Sequence, residues 1–270
     1  MKTQLRIKKY TCSINFIPFF LIMIVLAACA TTPTGRRQLK LMGSSQMSSM
    51  GDESFEQLKK QGKVSNNKED IQYVSCITTR VLRAMGEKPD EWEVKVFVDE
   101  SPNAFALPGK NVGVHTGMIK LAKNQDQLAA VIGHEIGHVL ANHGNERVSQ
   151  NLIVQGGLVA TQLALGNDST TDGLIVGALG VGAQFGVLLP FSRKQESEAD
   201  ELGIKYMASA GFDPAGAPQL WKVMKTAGAG GQPEFLSTHP SPDSRIAALS
   251  KLVPKYKNDY QAVKDKPKCR

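Results

Sequence analysis

His134, Glu135 and His138 lie within "VIGHEIGHVLANH", residues 131–143, a stretch that holds three of the chain's five histidines. On a helix the two histidines stand one turn apart on one face, so both imidazoles can reach one metal ion. Glu135 falls on the neighbouring flank, placed to take a proton from water on that ion rather than to bind it. This is the HExxH spacing of hydrolytic zinc sites. Burying two imidazoles and a carboxylate without partners costs about 1–3 kcal/mol per group, which disfavours an accidental cluster in an apolar helix. A catalytic zinc takes three protein ligands and keeps one position open. A further histidine on the same helix would have to stand at 144, where the chain has Gly144. His143 is one residue off that register and is expected at the surface, where the helix frays. The acidic stretch "FSRKQESEADELGIKYMASAG" offers another source. Its Glu196 and Asp200 are four apart and share a face, so one can bind metal while the other orients a ligand histidine. Glu198 points away. Spacing alone does not separate ligation there from a solvated acidic face.

The helix that must carry the histidines is expected to begin at Asn124, which with Gln127 has the form of a capping box. It runs through Val131, Ile132, Ile136, Val139 and Leu140 to a stop at Gly144. Ahead of it, residues 66–86 set Ile71, Val74, Ile77, Val81 and Leu82 at helical spacing. "WEVKVFVD" alternates Trp92, Val94, Val96 and Val98, the period of a half-buried strand. "NAFALPGKNVGVHTGMI" reads as two extended pieces around a Pro-Gly turn. Its extended residues from Val112 to Met118, Val112 and Val114 among them, are expected to hold substrate as an added strand. Residues 145–166 form a further apolar helix, and "GNDSTTDG" is a loop. "LIVGALGVGAQFGVLL" is too short, and with Gln184 too interrupted, for a membrane span. It reads as a closely packed helix or a movable cover. The acidic stretch is helical through Ala199, Leu202, Tyr206 and Met207, although Gly203 weakens it. The fold class is therefore α+β, predominantly helical, with a small sheet beside the metal helix.

With 270 residues, 41% of them hydrophobic, the chain can bury one sizeable core. Its net charge of +7 owes four charges to Lys2, Arg6, Lys8 and Lys9. The rest is too mild for a nucleic-acid partner, and no basic stripe with interleaved aromatics appears. Residues 1–28 read as an export signal, a basic start followed by an apolar run from about Ile14 to Ala28. "LAAC" at its end resembles a bacterial lipobox, which implies cleavage before Cys29 and acylation of that residue. Ala30 behind it then implies the outer membrane. An oxidising periplasm permits a disulfide between Cys76 and Cys269. Residues 29–65 are expected as a tether and N-terminal helix, 66–253 as the metallopeptidase domain and 254–270 as a basic, solvated tail.

HExxH followed by SRxxExxAD, here Ser192, Arg193, Glu196, Ala199 and Asp200, resembles the HtpX and CAAX-prenyl-protease type of zinc metalloendopeptidase, peptidase family M48. "NAFALPG", from Asn103, is similar to that family's strand beside the site, and "THPSPDSRI" to its terminal HP…R motif. The resemblance covers roughly residues 70–250. It implies one zinc held by His134, His138 and Glu196, with Asp200 orienting a ligand and Glu135 as general base. It also places His239 and Arg245 near the metal. His239 is expected either to occupy the open position as a gate or, like Arg245, to donate to the tetrahedral intermediate. The clients implied are unfolded or misassembled envelope proteins, reached from a lipid anchor facing the periplasm. Two rivals remain from the sequence: a chaperone-like outer-membrane assembly factor with a zinc site, and a metal-dependent hydrolase of non-peptide substrates. The membrane-spanning helices of HtpX are not expected here.

Overall fold

The computed structural model describes residues 29–164, 191–227, 234–239 and 242–270. In chain order its elements are β1 (Cys29–Thr31), β2 (Arg37–Leu39), α1 (Ser44–Gln61), α2 (Lys68–Ala84), a 3-10 turn (Pro89–Glu91), β3 (Glu93–Phe97), β4 (Ala104–Leu107), β5 (Asn111–His115), α3 (Thr116–Leu121), α4 (Gln125–Leu140), α5 (His143–Ala164), α6 (Arg193–Ser209), α7 (Gly216–Ala227), α8 (Glu234–Thr238) and α9 (Pro242–Ala262). The fold is α+β and predominantly helical. The expected export signal and the glycine-spaced run 174–189 lie outside the described residues. Among the described residues, no helix is long and apolar enough to cross a membrane.

The sheet has the order β3-β5-β4, with β3 parallel and β4 antiparallel to the central β5. Period-two alternation gives it two covered faces. Val94, Val96, Ala104, Ala106, Val112 and Val114 pack into the main helical core. Phe97, Phe105 and Leu107 turn the other way and form a second cluster with Phe55 of α1. The sheet is thus held between α1 and the helices.

α4 is the centre of those helices, and every residue from Gln127 to His138 is buried. It packs against α2, α6, α7 and β4, while α9 covers α6 and α7. The Asn124 side chain accepts from the Gln127 N–H at 3.0 Å, as the capping pattern predicts. The Gln127 side chain caps the N–H of Lys123 instead of that of Asn124. The helix stops four residues earlier than Gly144, because Asn142 turns to a left-handed φ of 56° and α5 restarts at His143. Asn tolerates that region through local hydrogen bonding of its side chain, and here its amide donates to the Leu140 carbonyl.

Both chain ends of the described region are more ordered than the sequence suggests. Residues 29–39 form a two-stranded hairpin with Thr32 and Gln38 buried, and α1 buries Met47 and Phe55. The expected solvated tail is helical through Ala262, with Tyr256 buried and its hydroxyl on Glu201. Beyond it Cys269 is disulfide-bonded to Cys76 of α2 across 5.6 Å between Cα atoms. The helix within 29–65 and the Cys76–Cys269 pairing were expected, whereas the hairpin and the packed C-terminal helix were not, because each is amphipathic only against a surface that other elements supply.

Candidate metal centre

α6 meets α4 at two glycines. A Cβ on Gly203 would stand 2.8 Å from the backbone nitrogen of His134, and one on Gly133 would stand 3.1 Å from the Gly203 carbonyl. Gly203, which on propensity weakens the helix, is what lets the two backbones approach. At the start of α6 a capping box of Ser192 and Gln195 fixes the first turn and places Glu196 there, where the helix dipole favours an anion.

That crossing brings the donors together. The Nε2 atoms of His134 and His138 are 3.0 Å apart. Glu196 sets Oε1 3.5 Å from His138 Nε2 and Oε2 3.6 Å from His134 Nε2. His239, just past α8, sets Nδ1 2.9 Å from Glu196 Oε1 and 3.2 Å from His134 Nε2. One donor atom from each of the four lies within 4.8 Å of the others, and all four residues are buried. Phe191 stacks on the His138 ring at 3.8 Å and Phe235 on the His239 ring at 4.3 Å.

The protonation states suit a cation. Burial, aided by the Arg245 charge, lowers His134 to about 4. Burial also holds His138 well below its ordinary value. Burial alone would raise Glu196, but His239 and Arg245 outweigh it and hold the carboxyl well below the usual range. Neutral imidazoles beside an ionised carboxylate are the forms a metal binds.

Glu135 stands against this set, with Oε1 3.5 Å from His239 Nε2. Burial pushes its carboxyl up to about 7, opposed by His239, by Arg245 and by the backbone N–H of Ala106 in β4. Its Oε1 is buried without a hydrogen-bond partner. An orphaned carboxylate oxygen beside converging donors fits a site built to receive a metal and water, since such a group left unmet costs about 1–3 kcal/mol.

Behind the donors, Asp200 Oδ1 lies 3.1 Å from His134 Nδ1. Arg245 donates from Nε to Asp200 at 2.8 Å and from Nη1 to Glu196, with its guanidinium 3.7 Å over the Trp221 ring. Its nitrogens are thus engaged with carboxylates, which makes Arg245 a group that positions the donors rather than one aimed at substrate.

Besides Arg245, expected to donate to the tetrahedral intermediate but held on Asp200 and Glu196, two expectations are corrected here. His143 is not on the surface but completely buried. Its Nδ1 lies 2.8 Å from His138 Nδ1, and its Nε2 lies 3.0 Å from Glu198. Glu198 points away from the donors, as expected, yet it is buried and not solvated. It takes Arg36 Nε at 2.7 Å and the Thr34 hydroxyl, both from the β1–β2 hairpin. Arg36 also forks onto both oxygens of Glu146 at 2.7 Å. Burial favours the neutral form of Glu198, but Thr32, Thr34, His143 and Arg36 win and lower it to about 2. A third histidine so near HExxH was a usable signal for His143. Nothing in the spacing pointed to Arg36.

The second correction concerns the substrate strand. Val112 and Val114 lie on β5, paired on both sides and fully buried, so no strand can be added there. Asn103 is buried ahead of β4, with its carbonyl taken by the His115 N–H. Among the described residues β4 is an edge strand, and on its outer side the Ala106 N–H meets Glu135.

A family model described as Peptidase family M48 matches residues 68–253. Mitochondrial metalloendopeptidase OMA1 of Schizosaccharomyces pombe is 36% identical over 184 residues, covering 67% of this chain and 52% of the relative. The Arabidopsis thaliana protein of the same name is 38% identical over 162 residues, 59% of this chain and 31% of the relative. Beta-barrel assembly-enhancing protease of Escherichia coli is 31% identical over 205 residues, 73% of this chain and 42% of the relative. The chain therefore spans about half or less of the length of these relatives. With the matched region holding the HExxH helix, Glu196, Asp200, His239 and Arg245, the chain belongs to peptidase family M48.

Proposed function

We propose that the chain is a zinc-dependent metalloendopeptidase that cleaves unfolded or misassembled proteins of the bacterial envelope, anchored to the outer membrane through Cys29. The observation that carries the peptidase reading is the orphaned, buried Glu135 oxygen beside four converging donors. His134, His138 and Glu196 would hold the zinc, and Asp200 with Arg245 fixes the His134 ring and the Glu196 carboxylate. When bound, zinc supplies the Lewis acidity that acidifies water and polarises a peptide carbonyl. Glu135 takes the water's proton at Oε1 and returns it to the leaving nitrogen, and a carboxyl titrating near neutrality suits both steps. The open edge of β4 receives the peptide by backbone hydrogen bonds, which tolerates varied sequences and so suits unfolded clients.

His239 gives the site restraint. As a fourth protein donor it would compete with a substrate for the zinc, so a client would have to displace it. The LAAC sequence supports the anchor, and the name of the Escherichia coli relative supports envelope clients. Three variants test the reading in cells. Glu135→Gln at the membrane should retain clients that the wild type degrades. Cys29→Ser should leave unlipidated precursor. His239→Ala should raise basal proteolysis several-fold. Identical, unlipidated mature protein from wild type and Cys29→Ser would remove the anchor. A fall in kcat with zinc retained in His239→Ala would replace the gate by transition-state stabilisation.

A further inference from the structure

Cys29, the acylation site proposed above, is not joined to the fold by a linker: it opens β1 and pairs with Leu39 of β2. β2 lies against α5, and the chain leaving it is bolted there. The Leu41 N–H donates to Ser149 Oγ at 2.8 Å, and the Asn145 amide donates to the Met42 carbonyl at 2.8 Å. Ser149 is buried under this contact. One turn further along α5, on the same face, Ile153 is 54% exposed, and Val154 beside it is 58% exposed. They are the two most exposed large apolar side chains among the described residues, and Leu41 is exposed as well. The charge on this flank has one sign. Residues 29–51 hold Arg36, Arg37 and Lys40 and no acid, and residues 148–156 hold no acid either. The nearby carboxylates, Glu146 and Glu198, are taken up by Arg36.

Opposed residues of an antiparallel pair are about 5 Å apart, two strand residues span about 7 Å and a helical turn about 5 Å. Cys29 and Ile153 therefore stand on the order of 20 Å apart along one flank. A cysteine whose acyl chains lie in a bilayer is itself held at the headgroups, and so is the flank bolted to it. There, exposed Leu, Ile and Val side chains bury apolar surface at the acyl boundary, and cations meet phosphates. We propose that the flank formed by Leu41, Ile153 and Val154, with Arg37 and Lys40 beside it, docks onto the surface of a phospholipid bilayer. The acylated cysteine then acts together with a second contact instead of as a loose tether, and the bilayer sets how the chain stands. α5 begins at His143, against His138, so the docked flank fixes the height of the metal centre above the lipid. This inference rests on the anchor reading and adds to it a defined membrane-facing surface.

Tryptophan fluorescence provides the test. The chain's two tryptophans, Trp92 and Trp221, are buried, so an indole added at the surface reports its own surroundings. Full-length protein carrying Ile153→Trp is purified from membranes and placed in vesicles of phosphatidylethanolamine and phosphatidylglycerol, with and without bromine on the acyl chains. At the acyl boundary the emission of the added indole should fall about 2-fold or more in the brominated vesicles. Val98→Trp, at another exposed apolar position, should not change. Both positions are exposed, so neither substitution disturbs packing. Leu41→Trp should be quenched as Ile153→Trp is, and should lose that quenching when Ile153→Asp and Val154→Asp are added. The mass of the Cys29 peptide, with its acyl chains, should be the same in all of them. Equal quenching of Ile153→Trp and Val98→Trp, or none of Ile153→Trp, overturns the docking. So does a blue shift of Ile153→Trp without bromine quenching, which would mean that a protein partner covers the patch. Cys29 without acyl chains would instead strike the anchor reading, and the comparison of Ile153→Trp with Val98→Trp would still decide the surface.

Discussion

Arg36→Ala should weaken metal binding from a hairpin that touches no metal donor. The guanidinium makes three charge-assisted bonds of 2.7 Å, two to Glu146 and one to Glu198. The carboxylate side chains are only 8% and 4% exposed, whereas Arg36 is 23% exposed. Breaking a buried ion pair costs about 3–5 kcal/mol, and the partly solvated arginine puts this one at about 3. At about 2–4 °C per kcal/mol for a domain of this size, Tm should fall by about 6–12 °C. The second consequence runs from Glu198 through His143 to His138. Partners of metal-binding histidines are worth about 10–100-fold in affinity, and Arg36 stands further back, so a loss of about 10-fold is expected. Arg36→Lys keeps the charge but not the fork, and should recover part of both losses. The assay is competition for zinc against a chromophoric chelator, with melting of metal-free and loaded protein alongside. A lowered Tm with zinc affinity within two-fold of wild type would refute the link from hairpin to His138, leaving Arg36 a purely structural clamp.

Gly203→Ala forces a Cβ against the His134 backbone, which cannot yield as a side chain can; it should cost about 1–3 kcal/mol and lower zinc affinity, and an unchanged melt and titration would show that the crossing relaxes freely. The Cys76–Cys269 bridge closes 193 residues, for which the chain-entropy relation gives up to about 5 kcal/mol. Cys269→Ser should therefore lower Tm by about 10 °C or more while zinc stoichiometry holds, and a shift under 2 °C would contradict that loop-closure argument. Glu198 titrates at about 2 in the fold against an ordinary 4.5, so its contribution is full above 4.5 and is lost as pH falls toward 2. Thr34→Val removes one bond to the ionised form, so the metal-free variant should lose less stability across that window; an identical acid profile would argue against the Thr34 contact.

The chemistry of the centre was legible because it is local. HExxH fixes two imidazoles and a carboxylate by helix geometry alone, and the strands announced themselves by alternation. The third donor was not local: by spacing alone Glu196 and Asp200 looked like any acidic helix face, the family resemblance was needed to single them out, and the Gly133–Gly203 crossing is what sets them against His134. Gly203 read as a flaw for the same reason, since propensity sees the cost of glycine within a helix and not the neighbour it admits. Val112 and Val114 were misplaced because alternation identifies a strand but not its rank in a sheet, and only pairing shows that β4 holds the edge. His143, Glu198 and Arg36 illustrate the remaining limit. A polar residue is ordinarily read as exposed, and His143 and Glu198 are buried, with Arg36 half-buried over them, only because they satisfy one another across segments far apart in sequence.

The most direct measurement is zinc content and cleavage of an unfolded protein, for wild type and Glu135→Gln in parallel. General base catalysis contributes about 100-fold or more, so the variant should bind one zinc per chain as the wild type does and cleave at least about 100-fold more slowly. Cleavage by Glu135→Gln at the wild-type rate, or by wild type stripped of metal, would contradict the assignment of this site as a zinc peptidase centre.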